Sequence, residues 1–172
     1  TIAAAQPGPV AEGAVGAGTG CVAFGLKGGI GSASRRVGDW ALGVLVQANF
    51  GGTLRVDGVA PALPQHDADG SIVIVLATDA PLDAGSLKRL ATRAFGGLAR
   101  TGAALSHGSG DYALAFSTAR KVQYAPLSDL FEAAIEATEE AILNALLMAD
   151  PMTGYDAGNG KPSHFDALRL AP

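Results

Sequence analysis

The stretch that decides the fold is SIVIVLAT, residues 71–78, which follows the loop APALPQHDADG at residues 60–70. It is rich in β-branched residues and contains no Gly or Pro, a pattern typical of a strand. The Pro, Asp and Gly residues of the preceding segment indicate a loop that ends at Gly70. Ser71, at the junction of a polar loop and an apolar strand, is therefore the first candidate for chemistry.

Other segments around this stretch predict a layered α/β protein, although the pattern does not determine its topology. The predicted strands cover residues 21–26, 40–49, 71–78 and 111–117, with a possible short one at 53–59. The second strand, WALGVLVQAN, is an almost continuous apolar run of the kind that is buried on both faces.

Apolar residues at helical spacing predict two helices, over residues 82–99 and 127–149. Asp83 is a candidate cap for the first helix, and Ser128 or Asp129 for the second. The tail after Pro151 is predicted to be irregular.

Length and composition favour one domain over residues 1–172, since 172 residues with 48% hydrophobic content can bury one sizeable core. The net charge is −4 and no cluster of Lys or Arg is present, which argues against a nucleic-acid partner. The single cysteine, Cys21, excludes an internal disulfide.

No apolar run approaches the roughly 20 residues of a membrane span, and residues 1–15 lack a secretory signal pattern. We expect a soluble protein, cytoplasmic or periplasmic, with no membrane partner.

The dipeptide Gly70-Ser71 is what a self-cleaving serine hydrolase needs at this place. Glycine allows strained backbone geometry in which the serine hydroxyl can attack the preceding carbonyl. After cleavage, the freed α-amine of Ser71, with a reference pKa of about 7.7–8.0, can act as the base for its own hydroxyl. Gly-Ser pairs are very common, so an ordinary strand start remains the alternative interpretation.

The segment HGSGD, residues 107–111, suggests a serine–histidine–aspartate triad, but spacing argues against one. In an extended segment, successive side chains on one face lie about 6.6 Å apart, beyond mutual hydrogen-bond reach. Ser109 and Asp111 could instead face a nucleophile from a neighbouring strand and orient its base. A polar turn leading into a strand is the alternative.

Three further features of the sequence bear on its chemistry. Asn49, at the end of WALGVLVQAN, offers an amide donor suited to stabilising an oxyanion, although an Asn beside Phe50 and two glycines can equally form a turn. The glycine-rich stretch at residues 13–31 lacks the spacing of a phosphate-binding loop. The histidines at positions 66, 107 and 164 share no metal-ligand spacing, so no metal site is predicted.

Four blocks of this sequence, taken in order, resemble the L-aminopeptidase/D-esterase and β-peptidyl aminopeptidase family of self-processing N-terminal-nucleophile hydrolases. The blocks are GPVAEGAVGAGTGCVAFGLKGGIGSASR at 8–35, ALGVLVQANFG at 41–51, GSIVIVLATDAPL at 70–82 and RTGAALSHGSGDYALAFSTA at 100–119. The resemblance implies a four-layer α/β/β/α sandwich, of which this chain covers the later part.

The same resemblance implies cleavage between Gly70 and Ser71, leaving residues 1–70 as the end of one polypeptide and 71–172 as the other. Ser71 would be the nucleophile and Asn49 the oxyanion donor. Ser109 and Asp111 would orient the amine of the nucleophile and relay protons. The family usually has Glu where this sequence has Asp111, which shortens the carboxylate arm. No cofactor is implied.

Family members have a substantial upstream region that supplies strands and part of the substrate pocket. We therefore expect either a fragment or product of a longer precursor, with the upstream segment as its partner, or a shortened family member. Apolar strand faces left without that layer need cover, which favours a homo-oligomer.

Three functional hypotheses follow. The first is an aminopeptidase or amidase that releases N-terminal residues from short peptides, amino-acid amides or esters through an acyl-enzyme on Ser71, with β-amino-acid or D-ester substrates among the candidates. The second is acyl transfer of the ornithine acetyltransferase type, which typically uses Thr as nucleophile. The third is an inactive scaffold in which the Gly70–Ser71 bond stays intact.

Overall fold

A mixed four-stranded sheet forms the centre of the protein. The structure is a computed structural model, which describes residues 6–63, 69–123, 125–156 and 160–169. Its strands, in spatial order, are β3 (Gly29–Val37), β4 (Trp40–Asn49), β5 (Ser71–Thr78) and β6 (Tyr112–Ser117). β3, β4 and β5 are antiparallel neighbours, whereas β6 lies parallel to β5. A parallel pair needs a long crossover connection, and a helix between the two strands supplies it.

Two helices, α1 (Ala84–Arg100) and α2 (Leu127–Leu147), pack against each other and against one face of this sheet. The carboxylate of Asp83 accepts a hydrogen bond from the Ser86 N–H at 2.6 Å, which confirms the predicted cap of α1. The predicted caps of α2 are wrong, because this helix begins directly after Pro126 and no side chain caps it. Pro126 fixes the backbone before the first turn, so the hydroxyl and carboxylate that follow lie inside the helix.

The sheet is buried on one face only among the described residues. Alternate residues of β4 and β5 point to the helices and are fully or almost fully buried: Leu42, Val44, Val46, Ile72, Ile74 and Leu76. The residues between them point to the other side, where Val73 is 44% exposed. The prediction that WALGVLVQAN is buried on both faces is therefore wrong for this chain, because the structure places helices on one side of the strand alone.

The glycine-rich segment before the sheet folds differently from the prediction. Instead of one strand over residues 21–26, it forms a hairpin of β1 (Val22–Ala23) and β2 (Leu26–Lys27). Phe24 and Gly25, between the strands, both have positive φ, at 54° and 76°, as a two-residue type I′ turn requires. The Phe24 ring packs edge-on against Phe50, with centroids 5.0 Å apart, which fixes the hairpin beside the end of β4.

The remaining segments correct three other predictions. β3 was not predicted, because its glycines and its Ser-Arg-Arg run hide the strand pattern. Residues 53–59 form no strand and contain only an isolated bridge between Val56 and Val59. The tail is not wholly irregular, since β7 (Met152–Asp156) and β8 (Lys161–Phe165) pair as an antiparallel hairpin.

The described residues form one helix layer on one sheet layer, which confirms the predicted α/β architecture. In the part of the chain that the structure covers, neither helix is long and apolar enough to cross a membrane.

Candidate active site

The peptide bond between Gly70 and Ser71 lies at the start of β5, opposite the end of β4. Ser71 pairs with Asn49 in the antiparallel register, and both side chains point to the open face of the sheet. Gly70 has φ of 144°, a conformation that favours glycine, and a Cβ there would overlap the Asn49 carbonyl and lie 2.7 Å from Phe50 Cα. The local backbone therefore tolerates no side chain before Ser71.

The residue before this glycine anchors the loop to a neighbouring turn. Asp69 accepts a hydrogen bond from the Ser106 hydroxyl at 3.0 Å, and a Cβ at Gly108 would lie 2.9 Å from the same carboxylate oxygen. The Gly70–Ser71 peptide is thus held on one side by this contact and on the other by the ladder of β5. The residues at positions 64–68, which include the middle of the predicted loop and His66, lie outside the described residues.

Ser71 Oγ lies against the backbone of the segment that precedes β6. It accepts a hydrogen bond from the Gly110 N–H at 3.1 Å, and a Cβ at Gly110 would come equally close to Ser71 Oγ. The Ser71 side chain is only partly buried, so it remains accessible from the open face. Gly110 is a contact that sequence reasoning missed, although the glycines of HGSGD suggested a close approach.

Ser109 and Asp111 lie beside Ser71, as the sequence suggested, but in a different geometry. Residues 106–109 form a turn, in which the Ser109 N–H donates to the Ser106 carbonyl at 3.0 Å, and the Ser109 hydroxyl donates to Asp111 Oδ1 at 2.7 Å. The Ser109 and Asp111 side chains thus lie within hydrogen-bond reach, and the prediction that they do not is wrong, because the segment before Asp111 is not extended. His107 is exposed in the turn.

The same carboxylate oxygen reaches the strand that carries the serine. Asp111 Oδ1 accepts a hydrogen bond from the Ile72 N–H at 3.2 Å, one residue after Ser71. Asp111 thus connects the turn, through Ser109, to the backbone of the candidate nucleophile. A carboxylate in this position can attract a positive charge on the Ser71 amine once the peptide bond is cut.

Asn49 is oriented by the β1–β2 hairpin. Its Oδ1 accepts a hydrogen bond from the Val22 N–H at 2.9 Å. Because a backbone N–H can bond only to the oxygen of the amide, the two N–H donors of the Asn49 side chain are turned away from Val22. Nothing in the sequence pattern pointed to Val22, which lies 27 positions upstream.

The histidines form no metal site among the described residues, where no group of three or more His, Cys, Asp or Glu side chains is placed to hold an ion. His164 lies on β8, far along the chain from HGSGD, and contacts Thr153 at 2.9 Å and Asp166 at 3.2 Å. The glycine-rich stretch forms the β1–β2 hairpin and the start of β3. At Gly31, for example, a Cβ would overlap the Ala141 carbonyl of α2, so this glycine permits close packing of helix and strand.

The fold defines the class of protein: an α/β chain with the Ntn hydrolase type of architecture. The L-aminopeptidase D-Ala-esterase/amidase of Ochrobactrum anthropi, a prototype for the serine aminopeptidases with a variant of that fold, superposes with a TM-score of 0.81 at 37% identity, over 94% of this chain and 51% of its own. A β-aminopeptidase from Burkholderia sp. gives a TM-score of 0.81 at 42% identity, over 98% of this chain and 54% of its own.

The chain belongs to peptidase family S58, whose sequence profile matches residues 1–159. It is 45% identical to the β-peptidyl aminopeptidase BapA of Sphingosinicella microcystinivorans, over 90% of this chain and 50% of the relative. The chain thus spans about half the length of the curated relatives that it matches.

Proposed function

We propose that this chain is the serine-bearing part of a self-processing aminopeptidase, with Ser71 as its nucleophile. The observation that carries the proposal is the geometry of the Gly70–Ser71 junction. The backbone at position 70 excludes any side chain, and three polar residues lie around the junction: Asn49, Ser109 and Asp111. Family membership supports an aminopeptidase activity, and the relatives are a β-peptidyl aminopeptidase and an L-aminopeptidase D-Ala-esterase/amidase.

Self-cleavage would proceed as an acyl shift followed by hydrolysis. Ser71 Oγ attacks the Gly70 carbonyl carbon, the C–N bond breaks, and the hydroxyl proton passes to the Ser71 nitrogen to give an ester. Water then cleaves this ester, leaving a carboxylate on Gly70 and a free amine and hydroxyl on Ser71. The Asn49 amide would donate to the oxygen that becomes negative when the carbonyl carbon turns tetrahedral.

Turnover would use the same groups. The freed Ser71 amine removes the proton of its own hydroxyl, and the oxygen attacks the carbonyl of the first residue of a peptide, amide or ester. Asp111, with Ser109 hydrogen-bonded to it, would hold the amine in place and compensate its charge when it is protonated. The shorter Asp in place of the Glu expected from the resemblance is compatible with this role, because the turn brings its carboxylate to the Ile72 N–H.

The open face of the sheet also supports a partner from the same precursor. Large apolar side chains are exposed there, among them Leu45, Val73, Leu114 and Phe116. The site lies at one end of this face, so whatever covers the face also forms a wall of the substrate pocket. We propose that strands of an upstream segment cover this face and that residues 1–70 and 71–172 remain associated after cleavage. We further propose that the mature protein is a homo-oligomer. Its substrates are short peptides or amino-acid amides and esters, including β-amino-acid substrates.

The proposal is tested on the full-length protein by denatured mass measurement and N-terminal sequencing. We expect two polypeptides, one beginning Ser-Ile-Val-Ile, and a single uncut chain in Ser71→Ala. Ser34→Ala is the matched control, because this serine is exposed on β3 away from the site, and it should be cut like the parent protein. An uncut parent chain after prolonged incubation would overturn the proposal and favour an inactive scaffold.

A further inference from the structure

A lysine that has no acidic partner among the described residues is buried beside the candidate site. Lys27, on β2, is 2% exposed, although lysine is almost never fully buried unless paired. Its ammonium donates to three backbone carbonyls instead: Gly18 at 3.0 Å, Cys21 at 2.5 Å and Gly28 at 2.8 Å. These three bonds use all three N–H donors of the ammonium group, which offsets part of the cost of burying a charge.

One of these carbonyls belongs to the peptide unit that orients Asn49. The Cys21 C=O and the Val22 N–H lie at opposite sides of a single planar peptide group. The carbonyl accepts from the Lys27 ammonium and, at 3.0 Å, from the Gly28 N–H. The N–H donates to Asn49 Oδ1 at 2.9 Å. A continuous chain of hydrogen bonds therefore runs from Lys27 to Asn49.

We propose that Lys27 is a positioning residue for the oxyanion-stabilising amide of Asn49 and acts through the Cys21–Val22 peptide. The inference rests on the proposed function, in which Asn49 donates to the oxyanion. Two physical effects support it. First, the ammonium fixes the rotation of the Cys21–Val22 peptide plane. Second, the positive charge next to the Cys21 carbonyl polarises the chain of hydrogen bonds, so that the Val22 N–H, and then the Asn49 amide, become stronger donors.

The charge of Lys27 makes this chain sensitive to alkaline pH. Burial lowers the pKa of the Lys27 ammonium, and the Cys21 thiol, when ionised, opposes part of that change. Among the described residues, the charged or titratable groups near β2 include Asp166, His164 and Arg169, which line one cavity with Leu26. The backbone carbonyl of Asp166 accepts from the backbone N–H of Lys27, and the Asp166 carboxylate pairs with His164 at the surface. A neutral amine has two donors and a lone pair, so it cannot serve three carbonyls, and the orientation of the peptide is lost above the pKa of Lys27.

The test measures the rate of self-cleavage in the full-length precursor. Radiolabelled precursor is made by cell-free translation and chased over time, so that slow variants are followed from the uncut state. Lys27→Met nearly keeps the length of the side chain but removes the charge. We expect cleavage to slow about 10-fold to 100-fold, by analogy with the loss of activity when a group that orients a metal-ligating side chain is removed. Lys121→Met removes an exposed lysine and should leave the rate unchanged.

A double-mutant cycle separates positioning from a general loss of structure. Asn49→Ala is expected to slow cleavage about 10²-fold to 10³-fold, the usual cost of removing one oxyanion donor. If Lys27 acts through Asn49, Lys27→Met adds nothing in the Asn49→Ala background. The inference would be overturned if the rate reductions of the two single variants multiplied in the double variant. It would also be overturned if Lys27→Met were cut at the parent rate.

Two further measurements keep the inference testable if Lys27→Met fails to fold. Val22→Pro removes the N–H that orients Asn49 and leaves Lys27 in place; cleavage at the parent rate in this variant would refute the relay. In the unmodified precursor, the cleavage rate should fall above the lowered pKa of Lys27, and a rate that rises steadily until the protein unfolds would refute it too. A parent precursor that is never cut would instead refute the proposed function itself.

Discussion

The two faces of the central sheet differ in burial although both are apolar. On the face towards α1 and α2, Ile72, Ile74 and Leu76 are completely buried. On the opposite face, Leu114 is 63% and Phe116 is 46% exposed. Contiguous apolar surface of this kind marks an interaction site in soluble proteins. The contrast supports the proposal that a further layer covers the open face, since the described residues cover the sheet on one face only.

The position of the candidate site gives this difference a functional meaning. Asn49 and Ser71 are neighbours on the open face, at the end of β4 and the beginning of β5. The helix-covered face thus belongs to the hydrophobic core, and the open face presents the candidate site residues. Because the chain spans about half the length of its relatives, the cover we propose for this face is the upstream part of a longer precursor.

The largest expected effect is at the end of the open face, where the backbone excludes any side chain. In Gly70→Ala, the added methyl group would overlap the Asn49 carbonyl, and the residue would need a φ that alanine avoids. We expect self-cleavage of the full-length protein to fall at least about 100-fold, because displacement of the reacting atoms by roughly 1 Å costs that much.

The measurement is the fraction of uncut chain against time. Gly154→Ala is the control, since a Cβ at that glycine meets nothing within 4 Å. Equal cleavage of both variants would show that the conformation of Gly70 is not needed for the reaction.

A smaller effect is expected when one residue on each face is truncated and the free energy of unfolding in urea is measured. Ile74→Ala, on the covered face, should destabilise the protein by about 2–5 kcal/mol, the usual cost of truncating a buried Ile. Leu114→Ala, on the open face, should change the stability of the 172-residue chain by about 0.5 kcal/mol or less. In the full-length precursor, the cost of Leu114→Ala should rise towards that of Ile74→Ala. The same small cost in the precursor would contradict the proposed cover.

The smallest effect concerns the cap of α1, on the covered side. Hydrogen bonds from Ser86 lower the pKa of Asp83 below its ordinary value. A lowered pKa in the folded state means that this carboxylate stabilises the protein above its unfolded pKa and that the contribution is lost as the pH falls through its folded pKa. Asn caps helices about as well as Asp but does not titrate.

We therefore expect the Tm of the parent to exceed that of Asp83→Asn at pH 7 and the gap to close below about pH 4. Asp150→Asn, at an exposed carboxylate outside the helices, serves as control. A gap that stays constant between pH 7 and pH 3 would show that the charge of Asp83 does not contribute.

Sequence reasoning predicted the elements with strong local signals and missed those without them. SIVIVLAT and α1 with its Asp83 cap were predicted because strand propensity, helical spacing and capping act over a few residues. β3 was missed because its glycines serve contacts with α2, which no local pattern reveals. For WALGVLVQAN, the composition was consistent with burial on both faces, and only the packing of the helices shows which face is covered.

By itself, the sequence determined the Gly70-Ser71 junction at the start of a strand, because strand propensity is local. It also identified the candidates Asn49, Ser109 and Asp111, through their residue types and the family resemblance of the blocks that contain them. Only the tertiary structure decided their arrangement: Asn49 opposite Ser71, the Gly110 N–H on Ser71 Oγ, and the chain of hydrogen bonds from Lys27. These contacts join residues 22 to 39 positions apart, except for the short link between Cys21 and Lys27. Strand register and turn geometry set such contacts, and both depend on the packing of the whole sheet.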